Sequence, residues 1–334
     1  MKWCVIGAGG IADRRTIPAI VKNKNNILVA IMDSNKSVAE QIGKKYGTLH
    51  FDNEEEMLKT VDCDAVYIAT PVFCHYKQAM LALSYNKHVF LEKPVCLTAK
   101  ESRELVSAFK KAGKQLNIGY MMKYHNLHEK AKELIKADQV GKVNDVRLQF
   151  SCWYPEIEGA WRQKKELSGG GAIMDLGVHC IELIEYLLDD EIVGVKSFYS
   201  TQTFSYEVED GAVIIFRTKN GVLGHIDVNF NVPDDASESK LEIYGTKGYI
   251  QCKGTLAQEE VGTLSHLYAP QGDYSAIQSR KVCAPIDYVG AKGNLYEKQI
   301  NSFIKSLESG ALDYFHTDRA VHVQELVEEI YKEN

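Results

Sequence analysis

Three stretches of this chain carry residue types at spacings that could do chemistry. Gly7-Ala8-Gly9-Gly10-Ile11-Ala12 breaks off a short apolar run and leads into an apolar stretch through Val21. A strand, a Gly-x-Gly-x-x-Ala turn and a helix can cradle a dinucleotide pyrophosphate. Gly7 permits the tight turn, Gly9 lets backbone approach the phosphates, and Ala12 keeps the helix close to the sheet. Gly10 and Ile11 sit at the helix start, whose unpaired N–H groups suit an anion. Asp33 ends the next apolar run, Ile27–Met32, roughly 20 residues on, where a carboxylate can bond the adenosine ribose. It would repel a 2′-phosphate, which favours NAD over NADP. The rival readings are a glycine turn without a ligand, and Asp33 as an N-cap of a helix over 38–46.

The second stretch is Glu92-Lys93-Pro94, just past the apolar run His88–Leu91. An ammonium there could hydrogen-bond a substrate hydroxyl and stabilise alkoxide character. The competing reading is a surface lysine paired with Glu92. The third stretch is Gly169-Gly170-Gly171-Ala172-Ile173-Met174-Asp175-Leu176-Gly177-Val178-His179. The pattern predicts a helix over 172–188 with Asp175 and His179 stacked one turn apart, so the carboxylate can set the imidazole tautomer and raise its basicity. The triple glycine before them admits close approach of another surface or a ligand. The alternative is a solvated polar face formed by Asp175, His179, Glu182 and Tyr186. A metal on His179 and Glu182 lacks further ligands at suitable spacing.

These residues need a frame. Apolar runs at 3–6, 27–32, 49–51, 65–69, 88–91 and 115–119 alternate with helical patterns, which predicts βαβ units in a doubly wound parallel sheet. Gly7, Asp33, Thr70, Glu92, Lys93 and Tyr120 then fall at strand C-termini, the rim where such sheets bind ligands. From Val143 the pattern becomes period-2, and six strands are expected between 143 and 252, with turns at Asn220-Gly221 and Gly245–Gly248. This is an α+β domain on a mainly antiparallel open sheet. The two terminal helices, 295–307 and 320–332, most simply pack on it. The expected domains are 1–122 and 123–334.

The chain has 334 residues and a net charge of −6, with no basic block for nucleic acid or an anionic membrane. No run is long and apolar enough to span a bilayer. Eight scattered cysteines without a C-x-x-C pair suit a reduced cytoplasm, and zinc or another metal is not expected.

With Asn117-Ile118-Gly119-Tyr120 and Glu242–Gly248, the three stretches resemble the family named for glucose–fructose oxidoreductase, inositol dehydrogenase and the rhizopine-catabolism protein (Gfo/Idh/MocA). The likeness spans nearly the whole chain. It implies an NAD(P)-dependent oxidoreductase of sugars, polyols or cyclitols, with Lys93, Asp175 and His179 matching the family's catalytic residues. It also implies a homodimer or homotetramer through the open sheet face. Many relatives carry an arginine-rich run where this chain has Tyr120-Met121-Met122-Lys123-Tyr124, so the substrate contacts differ. On this reading Thr70, Pro71, His75 and Glu92 border the nicotinamide half. Substrate lies between the domains against Lys93, Lys123, Tyr124, Arg162, Asp175 and His179, with Lys93 and His179 meeting beside the reacting carbon. Two rivals remain: an NAD-dependent glycosidase with transient redox at the sugar, and a non-catalytic NAD-binding regulatory protein.

Overall fold

The computed structural model describes residues 1–270, 272, 274, 276, 283–291, 293–310, 312 and 315–332. The chain forms two compact units, one of Met1–Tyr120, Lys164–Gly169 and Tyr296–Glu328, the other of Met121–Gln163, Gly170–Leu295 and Glu329–Asn334.

The first unit is built on six strands: β1 (Lys2–Ile6), β2 (Ile27–Met32), β3 (Leu49–Phe51), β4 (Ala65–Ile68), β5 (His88–Leu91) and β6 (Leu116–Ile118). All pair in parallel, in the order β3-β2-β1-β4-β5-β6. This is the doubly wound order that the alternating pattern predicts. Every residue of β4 is buried, as a strand covered on both faces requires. Helix starts are capped locally: the Thr98 hydroxyl accepts the Glu101 N–H, and the Asn35 side chain accepts the N–H groups of Ser37 and Val38. Asn35, not Asp33, therefore caps the helix Lys36–Tyr46.

The terminal helices depart from expectation over most of their length; only the last turn of the second, from Glu329, belongs to the second unit, where Tyr331 meets Glu209 and Tyr199. Phe303, in the helix Leu295–Glu308, lies 5.3 Å from Trp3 and 5.7 Å from Phe90, ring centre to ring centre, and joins the first unit's core with Ile300 and Ile304. In the helix Phe315–Lys332, Asp318 pairs with Lys110, Glu325 with Arg103, and the Thr317 hydroxyl donates to the Leu116 carbonyl. Amphipathic spacing says that one helix face is buried. It does not say against which sheet, and here proximity along the chain misled.

The second unit carries an eight-stranded sheet: β7 (Val143–Ser151), β8 (Ile192–Ser200), β9 (Gly211–Thr218), β10 (Leu223–Asn229), β11 (Lys240–Gly245), β12 (Gly248–Lys253), β13 (Thr263–Tyr268) and β14 (Ile286–Val289). Its order is β14-β13-β12-β11-β7-β10-β9-β8. Neighbours are antiparallel except β7 and β10, which run parallel. Both expected hairpins form, with Gly221 at φ +87° and Gly245 paired to Gly248. The strands β13 and β14 and the helix Asn126–Lys136 were not foreseen. One sheet face buries Leu148, Ile214, Phe216, Ile226 and Val228. The other exposes Phe198, Val213, Ile215 and Leu223.

Candidate active site

In the first unit the strand ends stand in a row. Gly7, Asp33, Glu92 and Gly119 each directly follow a strand, and their N–H groups extend the ladder to Met32, Phe51, Ile68 and Leu91. Gly7 is at φ +84°, and a Cβ on it would lie 2.9 Å from the Ala69 carbonyl. Only glycine makes this turn. The chain is helical from Gly10 to Lys22 with a π turn over Ala12–Thr16 that begins just after Ile11. Asp33 turns back to the loop: its Oδ2 accepts the Gly9 N–H at 3.2 Å and its Oδ1 the Asn35 N–H at 3.0 Å. One carboxylate thus stands at the mouth of the glycine turn.

Glu92 is held from below. Its Oε1 accepts the Tyr67 hydroxyl at 2.7 Å, and Tyr67 accepts from the Thr16 hydroxyl at 3.0 Å. Burial, with the Glu92 charge beside it, pushes the Tyr67 phenol well above its usual pKa, so it stays a donor. A Cβ on Gly119 would lie 2.8 Å from Glu92 Oε2, which accounts for the glycine after Asn117-Ile118. Tyr67 and Thr16 had no sequence signal, because both read as apolar-run or helix residues. Lys93 is half-buried. Thr70 gives its hydroxyl to Gln78 at 2.6 Å, and Pro71 opens the helix Val72–Ser84.

His75 is 1% exposed, with Nδ1 2.9 Å from the Pro94 carbonyl and Nε2 2.9 Å from the Thr70 carbonyl. Burial, the largest influence, lowers its pKa. Its ring atoms are occupied by backbone on both sides, so it ties the Thr70 strand end to the turn after Lys93.

In the second unit the helical segment begins with a π turn, Ile173–Gly177, and continues as the α-helix Val178–Leu188. Asp175 lies inside the π turn and His179 one residue into the α-helix; π turns recur at functional sites. The segment packs against the sheet, and His179, Glu182 and Glu185 are 5%, 1% and 1% exposed. The polar stripe is therefore not a fully solvated face: His179 and Glu182 are buried, while Asp175 and Tyr186 are partly exposed. Glu182 Oε1 pairs with Lys123 Nζ at 3.0 Å, and both side chains are almost fully enclosed. The Lys123 ammonium also lies 5.8 Å from the centre of the Tyr124 ring, and the His179 ring meets Phe150 edge-on at 6.5 Å.

Asp175 stays partly open and faces Arg162, Nε to Oδ1 3.8 Å. Arg162 stacks on Trp161 at 4.5 Å, and its side chain hydrogen-bonds the Tyr154 phenol, which burial raises above its ordinary pKa. Tyr154 was missed, since it follows a strand with no motif of its own. The helical segment thus carries a partly open carboxylate beside Arg162 and, further along, an enclosed ion pair. Among the described residues no group of three or more His, Cys, Asp or Glu could hold a metal ion, and no helix is long and apolar enough to cross a membrane.

Comparisons with known proteins bear on the family and the fold. Residues 1–120 match the oxidoreductase family with an NAD-binding Rossmann fold, and residues 128–251 match the GFO/IDH/MocA C-terminal domain. The chain is 27% identical over 313 residues to a 1,5-anhydro-D-fructose reductase of Ensifer adhaerens, covering 92% of this chain and 88% of that one. It is 30% identical over 257 residues to an oxidoreductase, P35, of Formosa agariphila, covering 75% and 78%. The solved aldose–aldose oxidoreductase of Caulobacter crescentus, complexed with glycerol, superposes with a TM-score of 0.86 over 100% of this chain and 97% of its own, at 21% identity. Other solved neighbours of this fold hold NAD in one case and NADP in another.

Proposed function

The chain belongs to the Gfo/Idh/MocA family of NAD(P)-binding oxidoreductases, and from that premise we propose that it uses NAD to interconvert a hydroxyl and a keto carbon of a sugar, polyol or cyclitol. The observation that carries this reading is the Asp33 carboxylate at the glycine turn, 3.2 Å from the Gly9 N–H. The turn suits a dinucleotide, because Gly10 faces open space at φ +56° and the next residues are helical. Bound there, the nicotinamide supplies the hydride acceptor or donor.

The chain's own residues do the rest. Asp33 accepts the adenosine ribose hydroxyls and disfavours a 2′-phosphate. Thr70, Pro71 and Glu92 border the nicotinamide half. Lys93 donates to the substrate oxygen and stabilises its alkoxide character; His179 takes the hydroxyl proton, and Asp175 orients and supports the resulting imidazolium. Arg162 and Tyr124 hold substrate hydroxyls, while the Lys123 ammonium is paired with Glu182. The reductase of Ensifer adhaerens supports the substrate class.

The test is a spectrophotometric screen of NAD and NADP against aldoses, polyols and cyclitols. NAD reduction on at least one of them is expected, with NADP slower. Asp33→Ser should narrow that preference by about tenfold, roughly 1.4 kcal/mol. Tight NAD binding without turnover on any compound would leave a regulatory binding protein. Nitrophenol release from aryl glycosides without NADH would point to the glycosidase.

A further inference from the structure

The close neighbour that the triple glycine implies is Glu209. Three consecutive N–H groups donate to this one residue: Gly171 and Ile173 to its Oε1, each at 2.9 Å, and Ala172 to its backbone carbonyl at 3.1 Å. The Tyr331 hydroxyl also donates to Oε1, at 2.7 Å. The first N–H groups of a helix have no partner within it. Here a buried carboxylate, distant in sequence, supplies the cap that a local Ser or Asp would otherwise give. There is room only for glycine beside it. A Cβ on Gly171 would lie 2.0 Å from the Glu209 carbonyl oxygen, and one on Gly170 1.9 Å from the Tyr331 oxygen.

We propose that Glu209 is the positioning residue of the segment that carries Asp175 and His179. The inference rests on the proton-handling roles given to those two residues above. A π turn and an α turn over the same stretch differ by one residue, about 100° of helical rotation. A start left unanchored would therefore leave the direction of Asp175 relative to His179 undetermined. Fixing three successive N–H groups on one rigid acceptor sets the register in which the turn over Ile173–Gly177 begins.

Two experiments on the full chain test this. Amide hydrogen exchange should show Gly171, Ala172 and Ile173 protected like the α-helix that follows; free exchange at all three overturns the cap, whatever the activity. In turnover of NAD with D-glucose, D-xylose and myo-inositol, Glu209→Ala should lower kcat by about 10²-fold, the cost of a small misplacement, with KM for NAD little changed. Glu209→Gln keeps the acceptor oxygen and should recover most of kcat. Wild-type kcat in the alanine variant, or equal loss in both variants, overturns positioning by this oxygen. If Glu209→Ala does not fold, the exchange pattern of the wild type still decides. A wild type inactive on all three compounds counts against the proposed reaction, not against the cap.

Discussion

Replacing Lys93 or His179 by alanine removes a proton-handling group while leaving the glycine turn intact. Turnover should then fall by about 10²–10⁴-fold, with NAD affinity, read by fluorescence titration, near wild type. Loss of NAD binding in either variant would make the residue structural. His128 offers a test of a different kind. It is fully buried, its ring nitrogens meet the Met122 carbonyl and the Thr255 hydroxyl, and burial lowers its pKa to about 3. The native ring stays neutral while the unfolded one takes a proton below its ordinary 6.5. The unfolded state thus binds more protons between those values, so stability falls as pH is lowered through that range, by up to ~1.4 kcal/mol per unit. Urea midpoints from pH 7 to 5 should drop more steeply in wild type than in His128→Gln; parallel profiles would refute the assignment. Motif residues such as Lys93 were legible because their types are unusual where they stand. His128 was not, since a histidine on an amphipathic helix gives no sign of how deeply it sits.

At the scale of elements, the helical segment after Gly171 was legible from spacing, but its burial was not. A 3.6-residue period separates two faces without saying what covers the polar one. Here the polar face carries the enclosed Lys123–Glu182 pair. Removing one member of such a pair strands the other charge, so Lys123→Met should cost about 3–5 kcal/mol. Lys123→Met with Glu182→Leu should recover most of that loss in urea unfolding, because a packed apolar pair avoids the desolvation. A double variant as unstable as the single one would show that the pair does more than neutralise itself. The sequence could suggest that Lys123 contacts substrate; only packing reveals that its ammonium is already engaged.

For the molecule as a whole, the open sheet face of the second unit is the unexplained surface. Phe198 is 85% exposed, and beside it on β9 lie Val213 and Ile215, with Leu223 on β10. Exposed apolar side chains gathered on one sheet face are a surface that association can cover. We propose that two or four copies of the chain associate through it. Phe198→Asp with Ile215→Lys should then sediment as a monomer, while the wild type sediments at two or four times that mass. A monomeric wild type would sink the proposal.

What the amino-acid order determined by itself is local and periodic: the glycine turn, the βαβ alternation, two hairpins and the Asp175–His179 spacing, each encoded within a few residues by sterics or by the repeat of a helix or strand. Only the tertiary structure decided which sheet takes the terminal helices, that His179 and Glu182 of the polar stripe are enclosed, and that Glu209 caps the glycine-rich start. Those outcomes depend on contacts between residues tens to hundreds of positions apart. Chain entropy allows many such pairings, and the packing of complementary surfaces selects among them.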